Sequence, residues 1–150
     1  MNQRTLRDSV TFEGHGLHTG CAARLTGHPA STNSGIMFFR TDLDPTLRVK
    51  AGIENVCEDE MRQTALKVGD GLIRTIEHLM ATFHGLGIDN AVVEVDGEEL
   101  PAMDGSAKDF VEKFLETGLT DQDAPRRYLE VKEPVYVDNG NQSLILLPAP

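Results

Sequence analysis

The 150-residue chain holds only two cysteines, Cys21 and Cys57, and they do not stand at C-x-x-C spacing. A disulfide framework and a four-cysteine zinc site are excluded, and free thiols are the expectation. A block of basic residues is also missing, as is any interleaving of aromatic with basic side chains, and the formal net charge is -10. These features argue against nucleic acid and against anionic membrane surfaces, while leaving room for a small anionic substrate held by a few local cations. No apolar run approaches the length that spans a bilayer, and Met1-Asn2-Gln3-Arg4-Thr5 lacks the apolar core of a signal peptide. A cytoplasmic protein without a transmembrane segment is expected. Low-complexity segments and short-period repeats are absent too, and the length leaves room for one domain, or one domain plus a fragment.

Two amphipathic helices stand out from what is present. Ile76, Leu79, Met80 and Phe83 fall at i, i+3, i+4, i+7 and gather on one stripe, with Gly85 and Gly87 expected to stop the helix. Ala107, Phe110, Val111, Phe114 and Leu115 make a second stripe, with Ser106 and Asp109 at capping-box spacing and Gly118 as a stop. Strands are expected around Val10 and Phe12, at 22–25, at 36–39 and at 90–95, the last closed by Asp96-Gly97, a dipeptide suited to a tight hairpin. Gly14 to Gly20 reads as a tight loop, 29–35 as a turn and 121–125 as a polar break. Beyond the break, 129–137 and 143–147 alternate around Asp138-Asn139-Gly140, the signature of a hairpin. An isolated hairpin is marginal in water, so these residues read as the opening of a second unit. The fold class is α+β, a sheet covered by two helices.

The chemistry concentrates at Thr75-Ile76-Glu77-His78-Leu79, where a carboxylate and an imidazole adjoin at a helix start. They could serve as general base and metal ligand. A helix that binds a metal alone needs a second ligand three or four residues on, and those positions hold Ala81 and Thr82. Any zinc at His78 therefore draws further ligands from elsewhere, since a catalytic zinc usually takes three protein ligands and a water. Taken alone, the pair reads as a solvated helix start with a hydrogen-bonded histidine.

A distributed set of motifs changes that weighting: Gln3-Arg4-Thr5-Leu6, Gly16-Leu17-His18-Thr19-Gly20, Phe39-Arg40-Thr41-Asp42-Leu43, Thr75-Ile76-Glu77-His78-Leu79, Gly85-Leu86-Gly87-Ile88-Asp89-Asn90 and Met103-Asp104-Gly105-Ser106-Ala107. In this order, over residues 3 to about 137, the chain resembles the amino-terminal half of the UDP-3-O-acyl-N-acetylglucosamine deacetylases, zinc enzymes of lipid A biosynthesis. The resemblance implies two similar α+β domains of the ribosomal protein S5 domain 2-like kind, their helices sandwiched between two sheets and the metal near the junction. Residues 1–125 would form the first domain, with a small strand insert between Arg40 and Ile73, and 126–150 would be the opening hairpin of a second, truncated domain.

The resemblance also implies roles. Glu77 matches the general base that takes a proton from the attacking water, and His78 the first zinc ligand. Supporting places fall to His18 and Asp104, with Met61 at the edge of the substrate site. Each keeps a plainer alternative: a loop histidine bonded to glycine-rich backbone, a turn aspartate capping the next helix, and a packing methionine. The family's other two zinc ligands lie on a later His-x-x-x-Asp motif, and its general-acid histidine and oxyanion-stabilising threonine also lie in the second half. This chain holds none of them, so the expected partners are UDP-3-O-acyl-N-acetylglucosamine and the missing carboxy-terminal half. The isolated chain is expected to be inactive. The competing expectation is a non-catalytic half-domain that binds a sugar nucleotide or a partner protein.

Overall fold

The computed structural model describes residues 1–44 and 46–149. Its central sheet has five strands in the order β2, β3, β8, β4, β5: β2 is Val10–His15, β3 Ala22–Pro29, β4 Ile36–Arg40, β5 Arg48–Lys50 and β8 Ala91–Val95. Neighbours are antiparallel except β4 and β8, which run parallel with Phe38 opposite Val93. Parallel pairing requires a crossover, and the chain between these two strands carries β6 (Leu66–Val68), β7 (Gly71–Ile73) and helix α1 (Glu77–Leu86). The family resemblance places a small strand insert in this region, and β5 with the β6–β7 hairpin occupies it.

Helix α2, Lys108–Thr117, follows β8, and the core forms where both helices meet the sheet. Phe12 of β2 lies 4.9 Å from Phe110 and 5.2 Å from Phe114, and Phe83 of α1 lies 5.4 Å from Phe114, measured between ring centroids. The four rings are fully buried, so aromatic packing joins sheet to helices and the helices to each other. Helix α1 ends in a Schellman motif. Gly87 takes the left-handed conformation, its N–H bonds the carbonyl of His84, and the N–H of Ile88 bonds that of Phe83.

Several sequence expectations are corrected. Gly85 does not stop α1 but lies within it, because the left-handed stop is supplied by Gly87 alone. No capping box forms at α2: Ser106 Oγ accepts the Lys108 N–H, and Ser106 is itself held by Asp104. The α2 stripe is narrower than its pattern, with Phe110 and Phe114 buried and Leu115 56 % exposed. Asp96-Gly97 closes no hairpin, because β8 is an interior strand whose partners β3 and β4 both precede it. Asp96 instead accepts the Arg24 N–H. The supposed polar break is strand β9, Leu119–Pro125, paired antiparallel with the unanticipated strand β1, Asn2–Leu6. Among the described residues beyond it, only β10 (Val135–Asp138) and β11 (Ser143–Leu146) are strand, joined as the expected hairpin, and 129–134 is not.

A candidate hydrolytic site around the start of helix α1

Three stretches of chain converge on the residues that precede α1: the Gly16–Cys21 loop, residues 60–64, and the segment 98–104 that leads to α2. Arg74 pairs in parallel with Glu99, through Arg74 N–H to the Glu98 carbonyl at 2.7 Å and Leu100 N–H to the Arg74 carbonyl at 3.2 Å. Arg74 also forms ion pairs with Glu60, at 2.9 Å, and with Glu98. Thr75 then turns the chain into the helix at φ 58°, a left-handed conformation costly for a β-branched residue. Ile76, buried in the core, fixes the entry.

Glu77 and His78 follow in the first turn, both half-buried. Oε2 of Glu77 accepts the Thr64 N–H at 3.0 Å while the Thr64 carbonyl accepts the Ile76 N–H at 3.2 Å, so one residue of the neighbouring loop grips both backbone and carboxylate. Oε1 of Glu77 and the His78 ring have no hydrogen bond among the described residues. A carboxylate at the first turn is favoured by the helix dipole. The unengaged oxygen and imidazole are free to meet a water or a metal.

The supporting residues fall on the surrounding loops. His18 is exposed, and its backbone N–H, not its ring, makes the contact to Glu99 Oε1, at 2.9 Å. Asp104 is exposed and accepts the N–H and hydroxyl of Ser106, both at 2.8 Å, which hold its carboxyl below the usual carboxylate range. These contacts build a turn, and Asp104 itself makes none to the helix it was expected to cap. Met61 is 78 % exposed on the loop that reaches Glu77 and is not packed in the core of the described residues. Pro101 and Ala102 bring the Asp104 segment against the strand leading into the His18 loop, with the Ala102 N–H on the His15 carbonyl at 2.9 Å.

One residue at the centre of this arrangement carries no signal of its own in the sequence. Glu99 is 3 % exposed, and its carboxylate takes four hydrogen bonds: Oε1 from His18 N–H and the Thr75 hydroxyl, both 2.9 Å, and Oε2 from the Thr19 N–H at 2.8 Å and hydroxyl at 2.7 Å. Burial opposes its ionisation, but these donors, led by His18 N–H, prevail and hold the carboxyl at about 2. In the sequence Glu98-Glu99 reads as a solvated acidic pair, because nothing local signals that Glu99 turns inward. Gly16 was the available hint: a Cβ there would stand 2.2 Å from Glu99 Oε2 and 2.4 Å from Thr19 Oγ1, so a side chain at this position would displace the carboxylate or its partner.

No group of three His, Cys, Asp or Glu side chains that could hold a metal is assembled among the described residues. His78 fits as one ligand, and a complete three-ligand centre is not built from these residues alone.

The model of the UDP-3-O-acyl N-acetylglycosamine deacetylase family matches residues 3–150. The chain belongs to that family. Relatives named UDP-3-O-acyl-N-acetylglucosamine deacetylase include one from Shewanella baltica strain OS155, 48 % identical over 147 residues, covering 97 % of this chain and 48 % of the relative. Another, from Geobacter sp. strain M21, is 44 % identical over 147 residues, covering 98 % and 48 %. A third, from Actinobacillus succinogenes, is 43 % identical over 149 residues, covering 99 % and 48 %. The chain thus spans about half the length of the curated relatives it matches.

Proposed function

We propose that this family member is the amino-terminal half of a zinc-dependent deacetylase, which hydrolyses the acetamide of UDP-3-O-acyl-N-acetylglucosamine to the free amine and acetate in lipid A biosynthesis. The observation that carries the reading is the adjacency of Glu77, gripped by Thr64, and His78, with one Glu77 oxygen and the imidazole unengaged among the described residues. His78 would supply one zinc ligand, the remaining two coming from the carboxy-terminal half. Zinc, when bound, lowers the pKa of a water to about 7. Glu77 takes a proton from the attacking water as the new C–O bond forms, and the proton passes to the nitrogen as the C–N bond breaks. The His18 loop, Asp104 and Met61 edge the substrate site. The described residues include no helix long and apolar enough to cross a membrane. The free thiols of Cys21 and Cys57 support a reducing, cytoplasmic setting.

In the same reading, residues 1–125 form the first of two S5 domain 2-like units, and 126–150 open the second. The pairing of β1 with β9 supports a boundary there, since it ties the start of the chain to residue 125. The hairpin beyond it exposes Val135, Tyr136, Val137, Leu144, Ile145 and Leu146, an apolar surface that a second unit would cover. Acetate release is measured for the chain alone and for the whole deacetylase carrying it, each with its Glu77→Gln form. Turnover only in the whole protein, abolished by Glu77→Gln, is expected; wild-type turnover in the Glu77→Gln protein removes the assignment.

A further inference from the structure

Glu99 has no place in the chemistry above, yet it is the buried group on which the site's separate pieces meet. Each of its oxygens accepts one backbone N–H and one hydroxyl, so all its partners are donors. The backbone donors belong to the His18 loop. The Thr75 hydroxyl belongs to the residue whose left-handed turn launches Glu77 and His78. We propose that Glu99 is a positioning residue for the deacetylation proposed above, a reading on which this inference rests: its carboxylate holds Thr75 in its strained turn and locks the His18 loop to it, setting the direction of Glu77 and His78.

Three features distinguish this from ordinary burial of a carboxylate. A left-handed φ at a buried threonine persists only where the surroundings over-determine it, and the bond to Glu99 is a specific restraint there. The glycine at position 16 gives the carboxylate room where a side chain would displace it or its partner Thr19. The symmetry of the donors also makes glutamine a poor replacement. Whichever way its amide is turned, the NH2 group faces a backbone N–H, of His18 or of Thr19, and two donors oppose each other in a buried space.

The experiment uses the whole deacetylase carrying this chain, with Glu99→Gln, Thr75→Val and Thr75→Ser. Thr75→Val preserves the branched shape and leaves Glu99 its other three donors, which makes it the milder test if Glu99→Gln fails to fold. Zinc content, kcat and KM are measured, together with the visible spectrum of the cobalt(II)-substituted protein, which reports ligand geometry independently of turnover. Misplacing reacting groups by about 1 Å costs about a hundredfold in rate. We expect a kcat loss of about that size in Glu99→Gln and a smaller one in Thr75→Val, with KM little changed and an altered cobalt spectrum in both. Thr75→Ser, which keeps the hydroxyl, should restore most of kcat. A folded Glu99→Gln or Thr75→Val protein with wild-type kcat and cobalt spectrum overturns the inference, while loss of turnover in Glu77→Gln leaves the functional reading standing. Wild-type turnover in Glu77→Gln overturns both.

Discussion

Oε2 of Glu77 accepts the backbone N–H of Thr64 at 3.0 Å, so the carboxylate at the head of α1 is aimed by a loop thirteen residues earlier in the chain. The same loop presents Glu60 to Arg74 at 2.9 Å, while Gln63 Oε1 stands 3.2 Å from the Thr75 oxygen, whose single proton goes to the nearer, charged Glu99. The start of the helix is thereby braced by this loop as well as by the Glu99 segment.

Separating the roles of the adjacent pair is the first prediction. In the whole deacetylase, Glu77→Gln should retain zinc and lose activity by about 10²- to 10⁴-fold, the range for a general base. His78→Ala should instead lower zinc content. Metal analysis beside turnover distinguishes them, and equal zinc loss in both variants would contradict the division of labour.

Acid should reveal the Glu99 carboxylate in the stability of the chain. Its folded value of about 2 lies below the ordinary 4.5. A depressed value contributes stability that is fully present above the unfolded pKa and is lost as pH falls from about 4.5 toward 2. The difference corresponds to about 3 kcal/mol. Denaturant titrations from pH 7 to 2 should show Glu99→Gln less stable at neutral pH and converging on wild type in acid. A constant gap across that window would count against the assignment.

Aromatic packing supplies a contrast within one helix. Phe110 is 1 % exposed against Phe12, and Phe110→Ala should destabilise the fold by about 3 to 5 kcal/mol. Leu115→Ala, on the exposed side, should stay within about 0.5 kcal/mol. Urea midpoints for the two variants test this, and a loss under about 1 kcal/mol for Phe110→Ala would mean that the ring is not in the core.

Gly87 should resist replacement by alanine for two reasons. Its φ of 70° is strained for any residue with a Cβ, and that Cβ would stand 2.9 Å from the Arg126 guanidinium, which pairs with Asp89 at 2.7 Å. We expect Gly87→Ala to lower stability by about 1 kcal/mol or more, and Gly85→Ala, inside the helix with open space around it, to raise it by up to about 1 kcal/mol. Thermal melts of both variants should move in opposite directions.

The isolated chain should neither bind zinc stoichiometrically nor release acetate. One ligand, His78, falls short of the three-ligand pattern. Equilibrium dialysis against zinc and an acetate assay on the purified chain check this, and tight stoichiometric zinc with turnover would bring His18 or Asp104 into the coordination sphere.

The sequence alone determined both helices, the β10–β11 hairpin, the α+β class and the Glu77–His78 pair. Those features are written in local signals: an apolar stripe at helical spacing, a left-handed glycine at a helix end, an Asn-Gly turn. It could not place β1 or β9, because Asn2–Leu6 and Leu119–Pro125 become strands only by pairing across more than a hundred residues, and 119–125 is too polar to suggest it. Asp96-Gly97 misled for the same reason, since β8 pairs with strands earlier in the chain and with none after it. At the site, the motif around Glu77 and His78 marks them as the candidate base and ligand, but not the groups that aim them. Glu99 is the clearest case: its charge predicts solvent, and only the parallel pairing of Arg74 with Glu99 turns it under the His18 loop. A buried carboxylate is tolerable only where enough donors converge on it, and that convergence belongs to the tertiary structure.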